Sequence, residues 1–360
     1  MNKPKVAALA AAALGVGAGA IGAYRATHPS DARRPDTVGS RRRRTLVGDE
    51  LLDLPPDVVE HDLDTPDGGT IHALERGEGR PLVLLHGVTL RSDVWAPQFH
   101  LMADRYRIVA ADLRGHGRSQ AGTDGYGLGP LAADVATLLE ALDLHDAIVV
   151  GHSMGGMTLM EFCGDHPAVL AERVAGLVFL ATAANAVVPP YAAGLLRAVL
   201  GRGQGRLDRG RPLPTRATVT TRMARLAFGD RPSAKAVGIV VEMGQSMAPE
   251  ALVPSLTKLL DHDARQALRA THTPSLVVVG TRDLLTPVPA GRNLARQLPH
   301  ADFVVLPRAG HQLMQERPNE LAELIDAFAA RLSGAEPSVA AAVAGDSGPV
   351  TPDQVESLAD

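Results

Sequence analysis

Residues 151–156 read Gly-His-Ser-Met-Gly-Gly, directly after the apolar run Ala147-Ile148-Val149-Val150 and before a stretch of helical apolar spacing that reaches Cys163. This pattern constrains the fold more than any other in the chain. A serine flanked two residues away by Gly151 and Gly155, at a strand-to-helix junction, predicts a turn so sharp that strand and helix leave no room for a Cβ. The Ser153 hydroxyl then stands above the strand end. Beneath it, the helix N-terminus offers free N–H groups and partial positive charge to a developing oxyanion. The plainer alternative is a glycine-rich turn with an incidental serine.

The rest of the body supplies a sheet for that strand. Short apolar runs fall at 70–74, 82–85, 108–111, 147–150, 174–180, 276–279 and 303–306. Several lack period-2 alternation, as expected of parallel strands covered on both faces. Helical patterns lie between them at 131–142, 154–163, 290–297 and 319–332. The alternation predicts an α/β fold with a doubly wound, mostly parallel sheet. It breaks once, over about 183–270, where the spacing is helix-like throughout, most clearly at 191–200 and 252–260. A Gly/Arg-rich loop is expected at 201–214. An insertion of this size reads as a helical cap over the strand ends, where open α/β sheets bind ligands.

A serine hydroxyl needs a base, and the base needs a carboxylate to orient it, in the chain order Ser, acid, His. The run 276–279 leads into Gly280-Thr281-Arg282-Asp283, and the run 303–306 leads into Ala309-Gly310-His311. Both candidates follow the C-terminal ends of buried strands, on one sheet edge. An acid could also have followed the strand at 174–180, but residues 181–185 hold no carboxylate. A second oxyanion donor is expected after the run 82–85, in His86-Gly87-Val88-Thr89, where the Val88 N–H would join that of Met154. His86 is expected to tie that loop through a ring nitrogen. A zinc site on His86, His116 and His152 has no supporting ligand spacing, and Cys163, ten residues down the helix, reads as packing.

The motifs HGVTLRSDVW (86–95), DLRGHGRS (112–119), GHSMGG (151–156), GTRDLLTP (280–287) and AGH (309–311) together resemble the α/β-hydrolase fold superfamily. The likeness is greatest to its capped branch of small esterases, cofactor-free haloperoxidase-like perhydrolases and C–C bond hydrolases. The resemblance implies Ser153 as nucleophile, His311 as general base, Asp283 as its orienting acid, and Val88 and Met154 as oxyanion donors. The turn at 112–119 is a structural signature of that family, and serine at position 153 argues against the epoxide hydrolases and haloalkane dehalogenases that carry aspartate there. A serine hydrolase acting on an ester-like bond of a small or medium, apolar substrate is expected, with no cofactor and no metal. C–C hydrolysis, perhydrolysis or acyl transfer could use the same triad, and a non-catalytic binding protein of this fold would usually lack one of its members. Leu195, Leu196, Met223, Phe228, Met243 and Met247 are candidate pocket residues, though such spacing more often marks the cap's own core. An arginine group at 202, 206, 209 and 211 reads as a solvated loop, with an acidic substrate or anionic lipid as the alternative.

Charge and composition bound the remainder. At 45% hydrophobic and 21% charged residues the chain is neither collagen-like nor wholly disordered, and one cysteine excludes an internal disulfide. The net charge of −4 hides a leader of +7 over residues 1–45 and a tail of −5 over 334–360, which leaves −6 on the body. A mildly acidic body is a poor nucleic-acid binder. The uncharged stretch 6–23, behind two lysines and ahead of seven arginines, reads as a single-pass membrane anchor with the body on the cytoplasmic side. If it is cleaved as a signal peptide, the body is exported. Its match to G-x-G-x-x-G at 17–22 has no preceding strand and is rejected as a dinucleotide site. The organisation expected is a leader at 1–45, an α/β-hydrolase domain at 46–333 with its cap at about 183–270, and a disordered acidic tail at 334–360.

Overall fold

The computed structural model describes residues 48–188, 190–210 and 217–334. The seven apolar runs become β2 (Thr70–Arg76), β3 (Arg80–Leu85), β4 (Tyr106–Ala111), β5 (Ala147–His152), β6 (Val174–Leu180), β7 (Ser275–Gly280) and β8 (Ala301–Leu306) of one sheet, to which β1 (Val59–Asp64) adds an edge strand. Their order across the sheet is β1-β2-β4-β3-β5-β6-β7-β8. From β4 to β8 every neighbouring pair is parallel, whereas β1–β2 and β2–β4 are antiparallel. The expected doubly wound, mostly parallel sheet is therefore present, with β5 near its centre.

The lack of alternation in the central strands follows from their burial on both faces. Leu82 and Leu84 of β3, Ile148 and Val150 of β5, and Leu276 and Val278 of β7 enter one core cluster. Their neighbours Val83, Leu85, Val149, Val277 and Val279 enter the other. β1 went unread in the sequence because it is a polar edge strand, Val-Glu-His-Asp-Leu-Asp, with alternate residues exposed. Charge on an edge strand discourages pairing with another chain.

Helices α1 (Ala96–Met102), α2 (Leu128–Ala141), α3 (Met154–Asp165) and α4 (Pro167–Arg173) lie between strands up to β6. Between β6 and β7 come α5 (Pro190–Leu207), α6 (Ala217–Leu226), α7 (Ala234–Ser246), α8 (Pro249–Asp261) and α9 (Arg265–Ala270). Helix α10 (Val288–Gln297) precedes β8, and α11 (Leu313–Glu316) and α12 (Pro318–Leu332) follow it. Helices α1 and α12 cover the first face of the sheet through Phe99, Met102, Leu321 and Phe328. Helices α2, α3 and α10 cover the second through Val135, Leu139, Met160, Phe162 and Leu294.

The inserted helices divide into three groups. Helices α5 and α8 share a cluster of their own around Leu196, Leu200, Leu252 and Leu256. Helices α6 and α7 instead join the first-face core through Ala224, Val237, Val240 and Met243. Helix α9 returns to the helical layer of the second face, where Leu268 is buried. The loop expected at 201–214 is corrected over its first half, since α5 continues to Leu207. Glycines weaken a helix by about 1 kcal/mol each, but Leu196, Leu200 and Gly203 form a buried stripe at helical spacing. That packing carries the helix through its glycines. The leader residues 6–23, the tail beyond 334 and Arg211 lie outside the described residues. Among the described residues no helix is long and apolar enough to cross a membrane.

Candidate active site

β5 ends at His152 and α3 begins at Met154, so Ser153 alone makes the turn, with φ 53° and ψ −115°. Such a conformation costs of order 1–3 kcal/mol and persists only where the surroundings dictate it. Here they do. A Cβ on Gly151 would fall 2.6 Å from the Gly155 carbonyl oxygen, and one on Gly155 would fall 2.4 Å from that of Leu85. The Ser153 amide donates to the Leu180 carbonyl at 3.0 Å, and its carbonyl accepts from Thr182 Oγ1 at 2.8 Å.

Asp283 and His311 are brought together beyond the C-terminal ends of β7 and β8. His311 Nδ1 lies 2.8 Å from Asp283 Oδ2, with the aspartate 1% and the histidine 4% exposed. Each carboxylate oxygen has two donors. Oδ1 accepts the amides of Leu285 at 2.7 Å and Thr286 at 2.9 Å; Oδ2 accepts Thr286 Oγ1 at 2.7 Å and the His311 ring. An ionised carboxylate can only accept, so it holds the proton of His311 on Nδ1 and leaves Nε2 bare. No hydrogen bond joins Ser153 Oγ to the His311 ring, a contact that often tightens only when substrate is bound. The two residues are linked instead by His152, whose Nε2 donates to the His311 carbonyl at 2.9 Å and whose ring lies 4.8 Å from that of His311.

The loop after β3 lies against the elbow. A Cβ on Gly87 would sit 3.1 Å from Ser153 Cβ, so the next amide, that of Val88, is carried beside the serine. Among the described residues neither the Val88 nor the Met154 amide makes a backbone hydrogen bond. As the first residue of α3, Met154 has no intrahelical acceptor for its N–H. His86 ties the loop as expected: its Nδ1 meets the Gly87 carbonyl at 2.8 Å and its Nε2 accepts the Leu113 amide at 2.9 Å. Burial pushes its pKa down to about 4, which keeps Nε2 an acceptor. The turn at 112–119 is held by Asp112, which accepts the amides of Ser92 and Arg118 at 2.7 and 2.8 Å. Among the described residues no group of three or more His, Cys, Asp or Glu could hold a metal ion.

The loop that carries His311 is also fastened to the inserted helices. His311 and Gln312 donate their amides to the Ala227 carbonyl at 2.7 and 3.3 Å. Glu316 accepts the amides of Gly229, Gly310 and Gln312 at 2.7, 3.0 and 3.2 Å, while burial raises its pKa above the usual carboxylate range. Asp230 pairs with both Arg282 and Arg308. Sequence reasoning missed Thr286, Glu316 and the role of His152. A threonine three residues after Asp283 is a recognisable turn signal; the other two carry none.

Of the candidate pocket residues, Leu195 is corrected: it is 60% exposed and faces solvent. Leu196 and Met247 pack between α5 and α8, and Val88 rests against that cluster. Phe228 and Met243 belong to the first-face core. Cys163 is buried in the second-face core, its thiol pushed up to about 12 by burial, so it supplies no thiolate at neutral pH. Arg202 and Arg209 are exposed and Arg206 half-buried.

A model of the alpha/beta hydrolase fold family matches residues 80–318. The chain is 31% identical over 256 residues to a non-heme chloroperoxidase of Kitasatospora aureofaciens, covering 69% of this chain and 90% of the relative. It is 32% identical over 243 residues to the pimeloyl-[acyl-carrier protein] methyl ester esterase of Chromobacterium violaceum, covering 65% and 88%. Among solved structures it is similar to a thermophilic esterase from Thermogutta terrifontis, at a TM-score of 0.66 and 26% identity, covering 76% of this chain and 99% of the other.

Proposed function

We propose that this chain, which belongs to the alpha/beta hydrolase fold family, is a serine hydrolase that cleaves an ester bond through an acyl-enzyme on Ser153. The observation that carries the reading is the buried Asp283–His311 pair, joined at 2.8 Å and linked to the elbow through the residue that precedes Ser153. With its Nδ1 proton held by Asp283, His311 can use only Nε2 as a base.

In the first half-reaction Ser153 Oγ attacks the carbonyl carbon and its proton passes to His311 Nε2. The oxyanion is received by the amides of Val88 and Met154, with the N-terminal field of α3 behind them. Collapse of the tetrahedral intermediate breaks the bond to the alkoxide, which leaves as the alcohol with the Nε2 proton. In the second half-reaction His311 takes a proton from water, the hydroxide attacks the acyl carbon, and Ser153 leaves with that proton restored.

The test is the Ser153→Ala variant with p-nitrophenyl acetate and butyrate. Hydrolysis by the wild type and its loss by at least a thousandfold in the variant are expected. A variant that retained a tenth of wild-type kcat would overturn the assignment. Adding methanol or a primary amine to the wild-type assay separates hydrolysis from acyl transfer, since a transferase would form the methyl ester or amide in preference to the acid.

A further inference from the structure

Buried side chains with unpaired polar atoms are uncommon, because a buried acceptor without a donor forfeits its hydration for nothing. His152 is such a residue. Its ring is 1% exposed, its Nε2 is engaged with the His311 carbonyl at 2.9 Å, and its Nδ1 has no partner. A leucine or phenylalanine would fill this volume without an orphaned nitrogen. The ring also touches the third part of the machinery, since a Cβ on Gly87 would fall 2.9 Å from the same Nδ1. Burial and the neighbouring His311 hold the His152 pKa well below 6.5, so the ring is neutral, with its single proton on Nε2.

We infer that His152 is a positioning residue, which ties the backbone of the catalytic base to the elbow that carries the nucleophile; this rests on the serine-hydrolase reading above. Three constraints then act on His311. Ala227 takes its amide proton at 2.7 Å, Asp283 takes its Nδ1 proton at 2.8 Å, and His152 donates to its carbonyl at 2.9 Å. Only Nε2 is left without a fixed partner. Ala227 and Asp283 hold the base to the inserted helices and to the β7 edge, and neither relates it to Ser153. The His152 bond does, because residue 152 is covalently joined to the nucleophile. If the inserted helices shift as substrate enters, this bond keeps the base in register with the serine.

The test uses the full chain with p-nitrophenyl butyrate as substrate and a fluorophosphonate as active-site label. His152→Phe keeps an aromatic ring and removes both the donor and the orphaned Nδ1, leaving the His311 carbonyl unpaired in its place. It is expected to lower kcat about 10- to 100-fold, the scale of a displacement near 1 Å, with KM changed less than threefold and a thermal midpoint within a few degrees of the wild type, since the lost orphan offsets the unpaired His311 carbonyl. His152→Gln, whose amide reaches as far as Nε2, is expected to restore kcat to within threefold of the wild type. His152→Asn, one methylene shorter, is expected to remain as slow as the phenylalanine variant. A purely structural role predicts that kcat and the thermal midpoint fall together. Wild-type kcat in His152→Phe overturns the proposal, as do equal kcat values in the Gln and Asn variants, a comparison that holds even if the phenylalanine variant fails to fold. Failure of the underlying reading is seen separately, as a wild-type protein that neither hydrolyses the ester nor takes the label at Ser153.

Discussion

Replacing Asp283 with asparagine tests how the base is held, and its size can be worked from four hydrogen bonds. Oδ1 accepts the amides of Leu285 and Thr286, whereas Oδ2 accepts Thr286 Oγ1 and His311 Nδ1. An asparagine that keeps its oxygen toward the two amides turns its NH2 toward His311. The ring must then carry its proton on Nε2, which cannot act as a base. The opposite orientation restores the useful tautomer but sets the NH2 against two N–H donors, one buried and one part-buried. Leaving two such groups unpaired costs about 2–6 kcal/mol at about 1–3 kcal/mol each. If the active tautomer is reached only through that orientation, kcat falls by about 30-fold to about 10⁴-fold. The assay is steady-state hydrolysis of p-nitrophenyl butyrate, with circular dichroism to establish that the variant is folded. A folded Asp283→Asn protein with kcat within threefold of the wild type would show that Asp283 does not set the His311 tautomer.

The elbow and the buried histidines give further predictions. In Gly155→Ala the new methyl group meets the Leu85 and His86 carbonyl oxygens at 2.4 and 2.7 Å, against about 3.3 Å for a close C···O contact. The elbow helix must therefore draw away from the Val88 loop, and kcat should fall about 10²- to 10³-fold, as when one oxyanion donor is lost; unchanged kcat would count against the two-amide hole. Burial depresses the pKa of His86 and His262 to about 4 and of His116 to about 3, and lowers that of His152 as well. These groups stay neutral in the folded protein while the unfolded chain takes up protons near pH 6.5. Their stability contribution is therefore complete above pH 6.5 and is lost as the pH falls toward 4, each group adding up to about 1.4 kcal/mol per pH unit. Urea unfolding at pH 7.5, 6 and 5 should show a steep fall, and equal free energies at pH 7.5 and 5 would contradict the depressed values.

How much of this was legible in the sequence depended on whether the signal was local. The central strands announced themselves because burial on both faces demands unbroken apolar runs such as 147–150 and 276–279. The serine turn was legible because Gly151 is required by contacts with Gly155 and Gly156 a few residues on, although Gly155 is required by the remote Leu85 and His86 carbonyls, and Asp283 and His311 because both follow such runs. The failures were of two kinds. β1 and the second half of α5 were misread because tertiary packing overrode local preference: pairing with β2 holds a polar strand, and contact with α8 carries a helix through its glycines. His152 and Glu316 could not be found because their partners are remote in the chain. The His152–His311 bond spans 159 residues and the Glu316–Gly229 bond 87. No spacing rule reaches that far.

The proposed mechanism requires a covalent acyl-enzyme on Ser153. Reaction of the full chain with a fluorophosphonate, followed by intact mass measurement and peptide mapping, tests it most directly. One adduct per chain is expected, located on Ser153, absent from Ser153→Ala and slowed in Asp283→Asn. An adduct on another residue, or an unlabelled wild-type protein that nonetheless hydrolyses p-nitrophenyl butyrate, would contradict it.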